Sequence, residues 1–160
     1  MRKVGIVLIE KAYLFHGMSP EFMSEISRSL IYESRKKGDF LFKAGDPADS
    51  LFVIEGGRVR LSAGDRGIVT QIVEKEGDAL GWSSLVGRDV YSSSAECLTD
   101  ARLIRIRRDK LNEIFDRYPA CGYLLFRRLA RMLGERLVES YGQITAAHAD
   151  REPPRYGYGG

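Results

Sequence analysis

Histidine is nearly absent from this chain of 160 residues: there are two, His16 and His148, and none between Asp39 and Ile106. A histidine-based metal centre in the central third is thereby excluded, and so is Ser-His or Cys-His catalysis there. Cysteine is equally scarce. Cys97 and Cys121 alone build neither a disulfide framework nor a four-ligand zinc site, and they read as free thiols in a reducing cytoplasm. Long hydrophobic runs are missing too. The stretch Ile6-Val7-Leu8-Ile9 is far short of the roughly 20 residues that span a bilayer. Glu10 and Lys11 follow it at once, so it is not a secretory segment, and no membrane partner is expected. Net charge is only +3, which announces no nucleic-acid binder. What is present is ordinary: 44% hydrophobic and 29% charged residues, the balance of a soluble globular protein of about one domain.

The charge is unevenly spread. Between Arg102 and Arg136 ten basic residues stand against four acidic ones, a surplus of six. Such a half serves either as a solvated helix face or as the seat of an anionic partner.

Periodicity divides the chain in three. Ser19-Pro20-Glu21 is a helix start, and Phe22, Ile26 and Leu30 form one apolar stripe, which predicts a helix over 19–33. From Asp39 to Ile106 the period changes to two. Short apolar segments at Phe40–Phe42, Leu51–Ile54, Val59–Leu61, Ile68–Val73 and Leu103–Ile106 are separated by turn signals such as Gly45-Asp46-Pro47, Gly56-Gly57 and Gly64-Asp65-Arg66-Gly67. Many short strands punctuated this way predict an antiparallel β-roll (a jelly roll) over 39–106. Helical periodicity returns over 109–145, with Tyr118-Pro119 parting a short helix from a long one. The fold class is therefore mainly β with flanking helices and a long C-terminal helix. Residues 1–149 make the domain, and the Tyr/Gly/Pro-rich stretch 150–160 reads as a disordered tail.

The long helix carries more apolar surface than a small roll needs. Phe126, Ala130, Leu133, Leu137 and Ile144 follow one seam, widened by Leu129. The same helix of a second copy is the natural partner, which predicts a homodimer; the alternative is one broad stripe facing its own core.

The most informative stretch runs from Glu76 to Ala95. Gly81 permits a turn that brings main-chain amides near a ligand. Ser83-Ser84-Leu85 fits a single helical turn, whose free N–H groups suit an anion. Ser92, Ser93 and Ser94 then re-enter the roll as a strand and supply hydroxyls. The plan is that of a phosphate-binding insert. A plain surface excursion with a helical turn accounts for the spacing equally well. Asp46, Asp49 and Asp78 stand in turn contexts and are read as turn formers, so no catalytic residues are assigned and the chain is not expected to be an enzyme.

Three motifs occur in order: Gly38-x6-Gly45-Asp46, Leu51-Phe52-x-Ile54-x-x-Gly57-x-Val59 and Gly77-Asp78-x-x-Gly81. Together they resemble the cyclic nucleotide-binding domain, in particular the effector domain of the catabolite activator and Fnr family of regulators, from about Phe15 to Tyr141. The resemblance implies a phosphate-binding cassette formed by Leu80, Gly81, Trp82, Ser83, Ser84, Tyr91, Ser92 and Ser93. It also implies dimerisation through the long helix and a small anionic or nucleotide-like ligand. Two departures bear on that ligand. The family's glutamate for the ribose hydroxyl is replaced by Trp82, and its arginine for the cyclic phosphate by Tyr91. Losing a charge-assisted pair to a buried anion costs about 2–5 kcal/mol, so ordinary cyclic AMP recognition is not expected. Arg88, Arg131 or Arg136 would be the cations available to a displaced anion. Trp82 would either stack on a flat ligand or fill the pocket. Two cysteines cannot hold the iron–sulfur cluster of the oxygen sensors, and no histidine stands in the roll or long helix for haem, so no cofactor is expected. The DNA-binding helices of the regulators need some tens of residues beyond the long helix, and eleven remain after Ala149. The chain reads as a free-standing sensor rather than a piece of a longer regulator, with no specific nucleic-acid binding of its own.

Overall fold

In the computed structural model, residues 2–64 and 66–147 are described, with the side chains of residues 2–4 left aside. The tail expected at 150–160 lies outside the described residues. The chain divides into two compact units, Met1–Leu125 and Phe126–Gly160.

The first unit opens on α1 (Arg2–Lys11), which the sequence reading does not assign. Its apolar run is short enough to suit helix or strand, and it buries Leu8 and Ile9. Helix α2 (Pro20–Arg28) begins as predicted: the Ser19 hydroxyl accepts from the Phe22 amide at 3.3 Å and Pro20 takes the first turn. It ends five residues before the expected Glu33. Ser29 closes it by donating its amide to Ile26 O at 2.9 Å, and the chain then extends as β1 (Ile31–Arg35). Pairing decides this: Ile31 to Arg35 bond antiparallel to Arg105 to Ala101, about seventy residues downstream. A long-range ladder overrides the local stripe.

The remaining strands are β2 (Phe40–Phe42), β3 (Ser50–Gly56), β4 (Val59–Ala63), β5 (Ile68–Val73), β6 (Ala79–Leu80), β7 (Ser94–Cys97) and β8 (Ala101–Arg107). They form two four-stranded antiparallel sheets, ordered β1-β8-β3-β6 and β2-β7-β4-β5. The expected antiparallel β-roll is what the structure contains. Between the sheets lie Phe42, Phe52, Ile54, Val59, Leu61, Val73, Leu80, Tyr91, Ala95 and Leu103. Helix α3 (Arg108–Arg117) packs on α2, with Phe115 stacked on Phe22 at 6.3 Å and the Tyr118 ring edge-on to Phe22 at 6.0 Å. Pro119 starts α4 (Pro119–Ala147), which supplies the described part of the second unit. Among the described residues no helix is long and apolar enough to cross a membrane.

Candidate functional site

The insert between β6 and β7 is built around Gly81. Strand β6 lies against β3, with Leu80 opposite Phe52. Gly81 then turns the chain at φ 80°, ψ 27°, and caps the 3-10 turn Trp82–Ser84. A Cβ there would stand 2.9 Å from Ser50 O, so both conformation and space call for glycine. Ser84 amide and hydroxyl both donate back to Gly81 O, at 3.1 and 2.8 Å. Those donors are spent within the turn and do not face a ligand. Ser83, Ser84 and Leu85 are buried, while Trp82 is half-buried.

The outgoing arm of the insert is laced to the loop before β3. Ala48 N donates to Asp89 O at 2.8 Å, Tyr91 N to Asp46 O at 2.9 Å, and Gly45 N to Tyr91 O at 3.0 Å. The Arg108 guanidinium, at the head of α3, donates to Arg88 O at 2.9 Å and so ties the arm to that helix. Ser92 and Ser93 form a bend, Ser92 being exposed, and the strand begins only at Ser94. The expectation that all three serines re-enter the roll as a strand is corrected: the lacing at Tyr91 holds the arm to the loop, and pairing with β4 begins at Ser94.

Tyr91 stands where the resemblance places the phosphate partner, and it is turned inward. It is only 3% exposed. Its ring stacks on Phe42 with centroids 3.8 Å apart, and Phe42 in turn meets Phe52. Its hydroxyl donates to Ser50 O at 2.7 Å and accepts from Ser50 N at 3.1 Å. The side chain thus does the work of a strand partner along β3 just beyond the point where β6 ends. Burial pushes the phenol up to about 12, against a smaller downward pull from the Ser50 hydrogen bond. The group is neutral across the physiological range and offers no charge to an anion.

The cation near Tyr91 is one that sequence reasoning did not single out. Arg105 lies opposite Phe52 on β8 and shares its face, and its charge acts on the Tyr91 hydroxyl. Glu33 already holds it, with Nε to Oε1 at 3.0 Å, and also holds Arg35 at 2.6 Å. The signal available in the sequence was parity alone: Arg105 falls in step with Leu103 on an alternating strand. Ser50, whose Oγ is buried without a hydrogen-bond partner, and Phe42 gave no signal.

Of the other proposed anion partners, Arg88 is exposed, and Arg131 pairs with Glu135 at 3.0 Å on the surface of α4. On the helix seam, Phe126, Leu137 and Ile144 are exposed, Leu137 at 51%, and Leu133 is half-buried. Leu129, expected in that seam, is 1% exposed and takes no place on the open face. Among the described residues no group of three His, Cys, Asp or Glu is placed to hold a metal.

Comparison with known proteins agrees with this architecture. The cyclic AMP receptor protein of Thermus thermophilus is 30% identical over 131 residues, covering 79% of this chain and 59% of that protein. Lysophospholipase NTE1 of Mycosarcoma maydis is 25% identical over 150 residues, 93% of this chain but only 8% of that protein. The chain thus spans a little over half of one relative and a small part of the other. A cyclic nucleotide-binding domain from Methylobacillus flagellatus superposes with a TM-score of 0.75 over 91% of this chain and 83% of its own, at 23% identity, a likeness of fold. The family model described as cyclic nucleotide-binding domain matches residues 32–118, the stretch that holds both sheets, the Gly81 turn and Tyr91, and the chain belongs to that family.

Proposed function

We propose that the chain is a regulatory module of the catabolite activator/Fnr type, without catalysis of its own, whose insert around Gly81 does not take cyclic AMP in the usual way. The observation that carries this is the seat of Tyr91: neutral, stacked on Phe42, and bonded through its hydroxyl to both main-chain groups of Ser50. An anion arriving there meets no charge on residue 91 and has to displace a packed aromatic ring. Arg105 is an alternative partner on the inner face, and it shares the single carboxylate of Glu33 with Arg35. The proposed ligand is small and anionic or nucleotide-like, and the module acts as a cytoplasmic homodimer through the open face of α4 at Phe126, Ala130, Leu133, Leu137 and Ile144. Movement of the insert would reach the helices through the Arg108–Arg88 contact.

The Phe42–Tyr91 stack favours a second reading as well, in which the interior stays filled and the chain is a ligand-free dimerisation module. Calorimetry with cyclic AMP tests the first statement: a dissociation constant below about 1 µM, tighter than about −8 kcal/mol, overturns it. A thermal-shift panel of cyclic GMP and cyclic dinucleotides separates the two readings. A saturable rise in melting temperature supports a sensor, and no rise with any member supports the ligand-free module.

A further inference from the structure

Three ionised side chains stand on the face of the β1-β8-β3-β6 sheet that lines the roll. Glu33 of β1 lies opposite Leu103, Arg35 lies opposite Ala101, and Arg105 lies between Ile31 on one side and Phe52 on the other. Leu103, Ala101 and Phe52 belong to the cluster that fills the roll, and strand alternation puts Glu33, Arg35 and Arg105 on that same side. Charge on an inner face needs a reason, because taking an ion out of water is costly unless it is paired and hydrogen-bonded.

The pairing here is unequal. Arg35 grips Glu33 as a fork, with Nη2 and Nε both donating to Oε2 at 2.6 and 3.1 Å. Arg105 approaches the other oxygen, Oε1, with Nε at 3.0 Å. That approach lies off the N–H direction, and the buried Nε of Arg105 makes no hydrogen bond. Among the described residues no other carboxylate pairs with either arginine. One carboxylate thus serves two guanidiniums, and the second is held by charge alone. Both are within reach of a solute: the Arg35 and Arg105 side chains are 34% and 32% exposed.

A second group on this face lacks a partner. Ser50 is 1% exposed, and its Oγ is buried without a hydrogen bond. Ser50 shares the inner face with Phe52, and its partner in register is Arg107, which makes it the diagonal neighbour of Arg105 across the β3–β8 ladder. The Tyr91 hydroxyl takes the main-chain groups of Ser50 and leaves the side-chain oxygen free. An under-bonded guanidinium and an orphaned hydroxyl on one patch are two donors that lack an acceptor.

We infer that Arg105 and Ser50 form an anion subsite for a phosphoryl group, with Glu33 left on Arg35. A phosphoryl group offers two oxygens to the planar fork of the guanidinium and a further one to the hydroxyl, which a carboxylate does not have. The subsite deepens the proposed function and rests on it: the anion of the ligand is received on β8 and β3 instead of at position 91.

The test titrates inorganic phosphate into the full chain and follows amide NMR, with acetate as the comparison. Phosphate should shift the amide signals of Ser50, Phe52 and Arg105 saturably and bind at least about threefold more tightly than acetate, since one hydrogen bond is added. Arg105→Gln should weaken phosphate at least about tenfold, and Arg105→Lys, which keeps the charge without the fork, should fall between. Unchanged circular dichroism checks the fold of both. Ser50→Ala removes only the orphaned hydroxyl and should weaken phosphate about three- to tenfold without lowering the melting temperature, a result that general attraction to basic side chains does not give. Glu33→Gln removes the competing carboxylate and should strengthen binding, and Arg88→Gln, at an exposed arginine of the insert, should change nothing. The inference is overturned if phosphate gives no saturable shift at those amides, if Arg105→Gln or Ser50→Ala binds like the parent, if acetate binds as tightly as phosphate, or if Arg88→Gln weakens binding as much as Arg105→Gln (surface charge only). No nucleotide enters this titration, so its failure leaves the regulatory reading to the cyclic nucleotide panel, and a panel without response leaves the phosphate titration intact.

Discussion

Removing one oxygen atom tests the reading of the Tyr91 seat. In Tyr91→Phe the ring keeps its stack on Phe42, 3.8 Å away, while Ser50 loses both the donor to its carbonyl and the acceptor for its amide. Both groups lie in a buried stretch, and Ser50 is 1% exposed. A buried backbone group left without a partner costs about 1–3 kcal/mol, so two of them put the loss near 2–6 kcal/mol. For a chain of this length each kcal/mol lowers the melting temperature by about 2–4 °C, which predicts a fall of roughly 4–24 °C. Urea unfolding at pH 8, followed by circular dichroism, gives the free energy directly. The same hydroxyl makes the effect depend on pH. Its folded-state value of about 12 lies above the ordinary 10 of an unfolded tyrosine. The unfolded chain therefore loses this proton first. The contribution is whole below pH 10 and is lost as pH rises toward 12. The gap between parent and Tyr91→Phe should narrow over that window, because the variant has nothing to ionise there. A loss below about 0.5 kcal/mol at pH 8, or a gap that widens above pH 10, would refute the claim that the hydroxyl completes the edge of β3.

Gly81→Ala should cost at least about 1–2 kcal/mol, from the left-handed backbone and a Cβ set 2.9 Å from Ser50 O, read as a lower urea midpoint with an unchanged slope. Leu137→Glu, on the open face of α4, should leave the fold intact and turn a dimer into a monomer in sedimentation at tens of micromolar; a parent that is already a monomer there defeats the dimer proposal. Mixed-sequence duplex DNA should bind weakly and lose affinity steeply between about 50 and 200 mM salt, as phosphate contacts alone require, and sequence-selective binding that survives the higher salt contradicts this.

Much of the architecture was legible in local pattern. Ser19-Pro20 marked a helix start because capping is a matter of adjacent residues. The period of two between Phe40 and Ile106, broken by glycine-rich turns, marked the roll, and Tyr118-Pro119 marked the join between α3 and α4. Gly81 was legible as a turn within the insert because its requirement for a left-handed backbone is local. Where neighbours in sequence leave two outcomes nearly equal, pattern failed. Ile6–Ile9 suits helix or strand, and Leu30 extends a helical stripe while Ile31 and Tyr32 favour extension. Distant partners settled both, α1 by burying Leu8 and Ile9 and β1 by pairing with β8.

The sequence by itself determined that position 91 carries no permanent charge, since a residue's charge is a property of its identity. Only the tertiary structure decided what Tyr91 does instead. Its hydroxyl meets Ser50, 41 positions away, because β6 stops at Leu80 and leaves the edge of β3 open at that point. The same holds for Arg105 at the inner face, which β8 places opposite Phe52. Backbone preferences act over a few residues and can be read in order. Close approach, hydrogen-bond satisfaction and charge neutralisation act between residues that only the closed sheets bring together.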